Sequence, residues 1–190
     1  MPHPFETVSH ADLARFVAEN PVAWIVPAAG PADAFLMPLL LETDAAGAPV
    51  SLLGHLPRYG PLTARLTETP DATCIFLGPH SYVPPGWISK PDWAPTWNFV
   101  SLKANGRIVP DDSLTDEAIR TLVAHMESAS GWSVERVGAR YETLLRGVIG
   151  FRMRIDSFVP RFKTGQDENE TSRAEIHAAL AGHPLQSWMR

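Results

Sequence analysis

The chain has 190 residues, 45% hydrophobic and 19% charged, with a formal net charge of −5 at pH 7. This is the length and composition of a globular protein with one sizeable core, and no uninterrupted apolar run reaches the roughly 18–20 residues that span a bilayer. The 21 acidic residues outnumber the 16 basic ones, so non-specific nucleic-acid binding, which rests on Lys and Arg neutralising phosphates, receives no support.

Residues 10–20 (HADLARFVAEN) set Leu13, Phe16 and Val17 at i, i+3 and i+4, between a candidate N-cap at Ser9 and a stop at Pro21. That spacing predicts an amphipathic helix. A short β-rich run at 22–26 is ended by Pro27. Residues 34–42 (AFLMPLLLE) are too apolar for a half-exposed strand and are expected in a barrel or sheet interior, with Pro38 marking an edge or bulge. A turn at 44–49 makes 50–55 the second strand of a hairpin. Residues 56–69 suit one or two helical turns entered through Pro57 and Pro61, and 71–77 and 98–108 read as strands.

Beyond Pro110, Ser113 or Thr115 can cap a helix over 116–128, with Ile119, Leu122, Val123 and Met126 on one face. A second helical segment follows near 134–145. Residues 148–159 alternate as a strand with one wet face, 161–169 form a loop, and a last helix runs from about 170 to 181. Strands carry most of the core, with helices at the ends and between the later strands. The pattern is mainly β with helices (α+β) and suits a barrel decorated by helices. No repeat or linker divides it, so a single domain over 1–190 is expected, with a helical insertion at about 113–145.

Residues 78–108 stand apart. They hold three of the six tryptophans (Trp87, Trp93, Trp97) and five of the eighteen prolines. Since Pro fixes φ and removes a donor, the middle of this stretch reads as a long aromatic loop between strands, a place for either a binding surface or a cap on the core. The seven histidines form no HxH, HxxxH or HExxH arrangement, so no metal site is expected, and there is no GxSxG, Walker A or GxGxxG motif. His55, read at a strand end, and His80, read at the start of the aromatic loop, are the two histidines set where a backbone leaves a sheet. The lone Cys74 excludes an intramolecular disulfide, and the N-terminus lacks a basic start followed by an apolar core, which makes the cytoplasm the expected compartment.

Five segments occur in a specific order and spacing: PLLL at 38–41, LLGH at 52–55, GPHSYVPPGW at 78–87, PTWNF at 95–99 and VIGF at 148–151. Together they resemble the PaiB-like family of FMN-binding negative transcriptional regulators, of the flavin split-barrel class; the opening at 5–12 is a looser match. The resemblance implies a six-stranded antiparallel FMN-binding split β-barrel with peripheral helices, a homodimer, and FMN at the dimer interface. It implies ring contacts and donors from His80, Ser81, Tyr82, Trp97 and Asn98. It sets His55 and Arg58 near the phosphate or ribityl chain, and adds Lys163 and Gln166 from the tail.

The chain departs from the family pattern at three places. Leu36 stands where the family has a histidine, Gly60 where it has an asparagine, and Glu168 where it has a base. An acid facing a phosphate is repelled, so these departures imply weakened, altered or lost FMN binding. With no obligatory acid or base in sight, the expected activity, if any, is that of an FMN-dependent reductase or oxidase of a small molecule. The alternative is a transcriptional regulator or structural dimer, though the negative charge and the lack of a convincing helix-turn-helix argue against direct DNA reading.

Overall fold

The alternation along the chain becomes seven strands in a computed structural model, which describes residues 4–189. They are β1 (Val22–Pro27), β2 (Phe35–Thr43), β3 (Pro49–Pro57), β4 (Asp71–Val83), β5 (Thr96–Arg107), β6 (Pro110–Asp111) and β7 (Val148–Lys163). The order is β3-β2-β1-β4-β5-β7-β6, and β3 pairs back onto β7, which closes the six long strands into an antiparallel barrel. The helices are α1 (His10–Glu19), α2 (Pro61–Glu68), α3 (Thr115–Met126), α4 (Arg140–Leu145) and α5 (Glu170–Ala179). The chain divides into two compact units, one of residues 10–76 and 103–158, the other of 77–102, 159–190 and the N-terminal 1–9.

The barrel unit, 10–76 with 103–158, is built on inward-facing side chains. Ile25, Leu39, Leu52, Leu56, Phe76, Phe151 and Met153 have no exposure at all. The predicted helix forms as α1 and lays Leu13, Phe16 and Val17 against β2 and β3. Two of the motifs meet here: Gly54 of LLGH stands opposite Phe151 of VIGF, and His55 opposite Gly150. A Cβ on Gly54 would lie 2.5 Å from Leu39 Cδ2 and 2.9 Å from the Phe151 ring, so the glycine leaves room for both side chains. Gly150 is tighter still, since its Cβ would lie 2.5 Å from the Leu114 carbonyl carbon. Its N–H donates to Thr115 Oγ1 at 3.0 Å, which seats the start of α3 on β7.

Several expectations need correction. β2 is not interior throughout: Phe35 and Leu36 are 45% and 46% exposed, beside Val22 and Trp24 at 47% and 51%. Apolar composition shows that a residue avoids water somewhere, not that this chain alone covers it. Pro38 marks neither a free edge nor a bulge. The β1 partners of β2 end at Pro38 and its β3 partners begin at Leu39, so the proline sits at the handover between neighbours. The α3 start is capped neither by Ser113 nor by Thr115; Asp111 accepts from Ser113 N at 2.8 Å and caps the 3-10 turn ahead of it. On α3 the buried residues are Thr115 and Ala118, while Met126 is 61% exposed.

The second unit joins the outer ends of β4 and β5 to the C-terminal tail. Asn169 caps α5 by accepting from Ser172 N at 2.9 Å. Ile176, Leu180, Leu185 and Trp188 are buried, and Trp188 meets Phe162 edge-on at 5.5 Å between centroids. The long loop is shorter than expected, because β4 runs on through Gly78 and Pro79 to Val83. An extended backbone accommodates the φ of proline wherever no donor is asked of it. His80 therefore lies within a strand rather than at its exit, and His55 lies two residues before the end of β3.

Candidate functional site

Successive side chains of a strand point to opposite faces, so His80 and Tyr82 of β4 share one face. Trp97, second residue of β5, meets both, with centroids 6.1 Å from the His80 ring and 5.7 Å from the Tyr82 ring. Trp97 Nε1 donates to His80 Nδ1 at 3.3 Å. An indole nitrogen only donates, so the neutral His80 ring carries its proton on Nε2, where it is a donor to whatever lies beyond. Tyr82 and Trp97 are 45% and 51% exposed. Three aromatic rings thus form an open wall with a fixed donor at its edge.

The neighbouring residues differ in how far they are committed. Asn98 is 1% exposed, and its Nδ2 is buried without a hydrogen-bond partner. It lies beside Gly165, whose φ of +89° favours glycine and whose added Cβ would stand 3.7 Å from that nitrogen. Lys163 is half-buried and donates to Thr96 Oγ1, next in sequence to Trp97. Gln166 is occupied locally: its Oε1 accepts from Thr164 N at 2.7 Å and its Nε2 donates to Phe162 O. Ser81 Oγ donates to the Tyr82 carbonyl at 3.0 Å.

His55 and Arg58 belong to the barrel unit. His55 is half-buried, its Nδ1 has no partner, and burial holds its imidazole below the ordinary value. Arg58 is anchored: Nε donates to Arg146 O at 3.0 Å, and NH2 donates to Val148 O at 2.8 Å and Asp112 Oδ1 at 2.5 Å. The bond to Arg58 holds the Asp112 carboxyl below its usual range. Asp112 is thus an ion partner, which its place in a turn did not reveal.

Sequence reasoning also missed the residues that hold the loop over 84–95. Trp93 Nε1 donates to Glu168 Oε2 at 2.9 Å, and Ser89 N donates to Glu175 Oε2 at 3.0 Å. Glu168, the acid that stood where a base was expected, is engaged with an indole. The signal available in the sequence was a half-buried tryptophan in a proline-rich loop, which needs an acceptor for its N–H. Among the described residues no group of three or more His, Cys, Asp or Glu could hold a metal ion, and no helix is long and apolar enough to cross a membrane.

A flavin asks for a flat aromatic wall, donors for its carbonyls and ring nitrogens, and positive charge or N–H groups for its phosphate. The open wall, the buried unanswered amide of Asn98 and the Lys163 ammonium fit those needs. Among proteins of known sequence, the chain is 24% identical over 131 residues to the protease synthase and sporulation protein PAI 2 of Bacillus subtilis (strain 168), covering 66% of this chain and 62% of that protein. Among solved structures, it resembles the FAD and heme binding protein from Mycobacterium smegmatis (TM-score 0.62, 15% identity, 90% of this chain and 78% of that one). The flavocytochrome Anf3 from Azotobacter vinelandii is similar to the same degree (TM-score 0.61, 16% identity, 91% and 80%). These structures share the fold. Residues 1–157 match the family described as "Putative FMN-binding domain", and the chain belongs to that family of FMN-binding split-barrel proteins.

Proposed function

We propose that the chain works as an FMN-carrying homodimer, with the flavin ring against Trp97 and Tyr82 and its edge met by His80 and Asn98. The observation that carries this reading is the open aromatic wall beside a buried amide that has no partner. His80 Nε2–H and Asn98 Nδ2 supply donors to ring acceptors, and Ser81 and Gln166 shape the strand and the turn that hold them. Lys163 supplies the charge for the phosphate. In the barrel unit, His55 Nδ1 is left unpaired. Arg58, also in the barrel unit, already gives its donors to a carboxylate and two carbonyls.

Bound FMN supplies one- and two-electron transfer to a small-molecule substrate, as in a reductase or oxidase. The protein supplies placement and electrostatics. The carboxylate of Glu168, where the chain departs from the family pattern, is engaged by Trp93 Nε1. The partner surface is the apolar outer face of β1 and β2, where Trp24 and Leu36 are register partners and both stand in water in the single chain. The buried free thiol of Cys74 fits the reducing cytoplasm.

The test is an absorbance spectrum of the purified protein, before and after FMN is added and the excess removed. Flavin bands that stay with the protein, and fall in occupancy in Lys163→Ala, support the reading; a colourless protein that takes up no FMN overturns it. A regulatory role is the second reading, favoured by the relative named for protease synthesis and sporulation. With a net charge of −5 it would act without reading DNA directly. A gel shift at low salt, where non-specific affinity is greatest, would contradict that by showing a complex.

A further inference from the structure

A cleft of about 370 Å³ lies in the barrel unit between α1 and α3, over a floor of Leu40, Leu41 and Leu53. That is within the range of small-molecule sites, roughly 300–1,000 Å³. The helix walls carry Ala14, Ala18 and Ala124, so no large side chain fills the space between them. The helices are tied at His125, whose Nε2 lies 3.0 Å from the Ala18 carbonyl. A carbonyl only accepts, so Nε2 donates and the Nδ1 of the neutral ring is an acceptor.

Besides Thr121, the lining carries the carboxylate of Glu42. It accepts from Ser51 Oγ at 2.5 Å and from Arg152 Nε and NH2 at 2.8 and 2.9 Å. A carboxylate offers about four lone-pair sites, so one remains. Burial raises the Glu42 carboxyl, but the bonds from Arg152 and Ser51 outweigh it and hold the group below its usual value, which keeps it anionic. Arg152 also serves Glu117 at 2.6 Å, so this corner has one more carboxylate than guanidinium. The cleft is apolar over most of its wall, and Glu42 and His125 put an anion and an acceptor into its lining.

We propose that this cleft binds a small primary amine with an apolar body, its ammonium toward Glu42 and His125 and its hydrocarbon on the leucine floor. The site is independent of the flavin reading. It is tested by NMR titration of the full chain with benzylamine and, in parallel, with its neutral analogue benzyl alcohol, reading the backbone amides of α1 and α3. Benzylamine is expected to give saturable shifts there and to bind at least about tenfold more tightly than the alcohol, about 1.4 kcal/mol. Ala124→Leu and Ala18→Leu, both at exposed helix positions, fill the cleft and are expected to abolish binding, with thermal melts confirming that each variant folds. Glu42→Gln is expected to erase the preference for the amine. No saturable shift, equal affinity for the two probes, or unchanged benzylamine affinity in both folded leucine variants overturns the proposal.

Discussion

The barrel unit and the loop of the tail unit are held by different physics. In the barrel unit, side chains such as Leu52, Phe76, Phe151 and Met153 have no exposure, and three glycines (Gly54, Gly106 and Gly150) admit neighbours closer than any Cβ allows. In the tail unit, much of the loop geometry rests on single polar links: Trp93 to Glu168, Ser89 to Glu175 and Lys163 to Thr96. Close packing penalises almost any change of volume, whereas a polar link fixes one group and leaves its surroundings open. The difference teaches where this chain keeps its shape and where it keeps surface for a ligand.

The comparison breaks most visibly at Phe151. Its truncation to alanine is expected to cost about 3–5 kcal/mol in a urea unfolding curve; a loss under 1 kcal/mol would mean the barrel is not the stability core. Gly150→Ala should cost about 1–3 kcal/mol by overpacking against Leu114, read in the same experiment. In the tail unit, Glu168→Gln weakens one charge-assisted bond and is expected to cost about 1 kcal/mol. Its clearer sign is faster proteolysis within residues 84–95.

A smaller effect is expected from pH. Burial depresses the His55 imidazole below its ordinary 6.5, so the unfolded chain binds the proton more readily. Stability is then full above about pH 6.5 and falls as pH drops from there toward the folded value. His55→Phe should flatten that part of the stability–pH curve. The smallest effect on stability is expected for Trp97→Phe, within about 0.5 kcal/mol for an exposed site. It should nevertheless lower FMN affinity and release the His80 tautomer, seen in the ¹⁵N shifts of its ring.

Much of the barrel was legible in the sequence because its signals are local. The Leu13/Phe16/Val17 spacing, the β2–β3 hairpin turn and the alternation through residues 151–155 each report a nearby geometry. The motifs also marked the right strands, since Gly54 and Gly150 are tight-approach glycines. What stayed hidden depends on partners far along the chain. Trp93 and Glu168 are 75 residues apart and Arg58 and Asp112 are 54 apart, and no spacing rule joins them. The run from Gly78 to Val83 has turn-like composition yet is strand, because its neighbours and not its own propensities decide. In the candidate site, the wall of His80, Tyr82 and Trp97 was nameable from the motifs. The Trp97-to-His80 bond that orients it was not.

The pairing of Gly54 with Phe151 bears on how such chains diverge. Position 54 has no room because Leu39 and the ring at 151 both crowd it, so its volume is shared with two other motifs, one of them almost a hundred residues away. A side chain can enter at 54 only where the Leu39 methyl shifts aside and the ring at 151 is given up. Gly54→Ala and Phe151→Leu should therefore be less harmful together than their separate costs add up to. Across descendants of this sequence the two sites are expected to change as a pair.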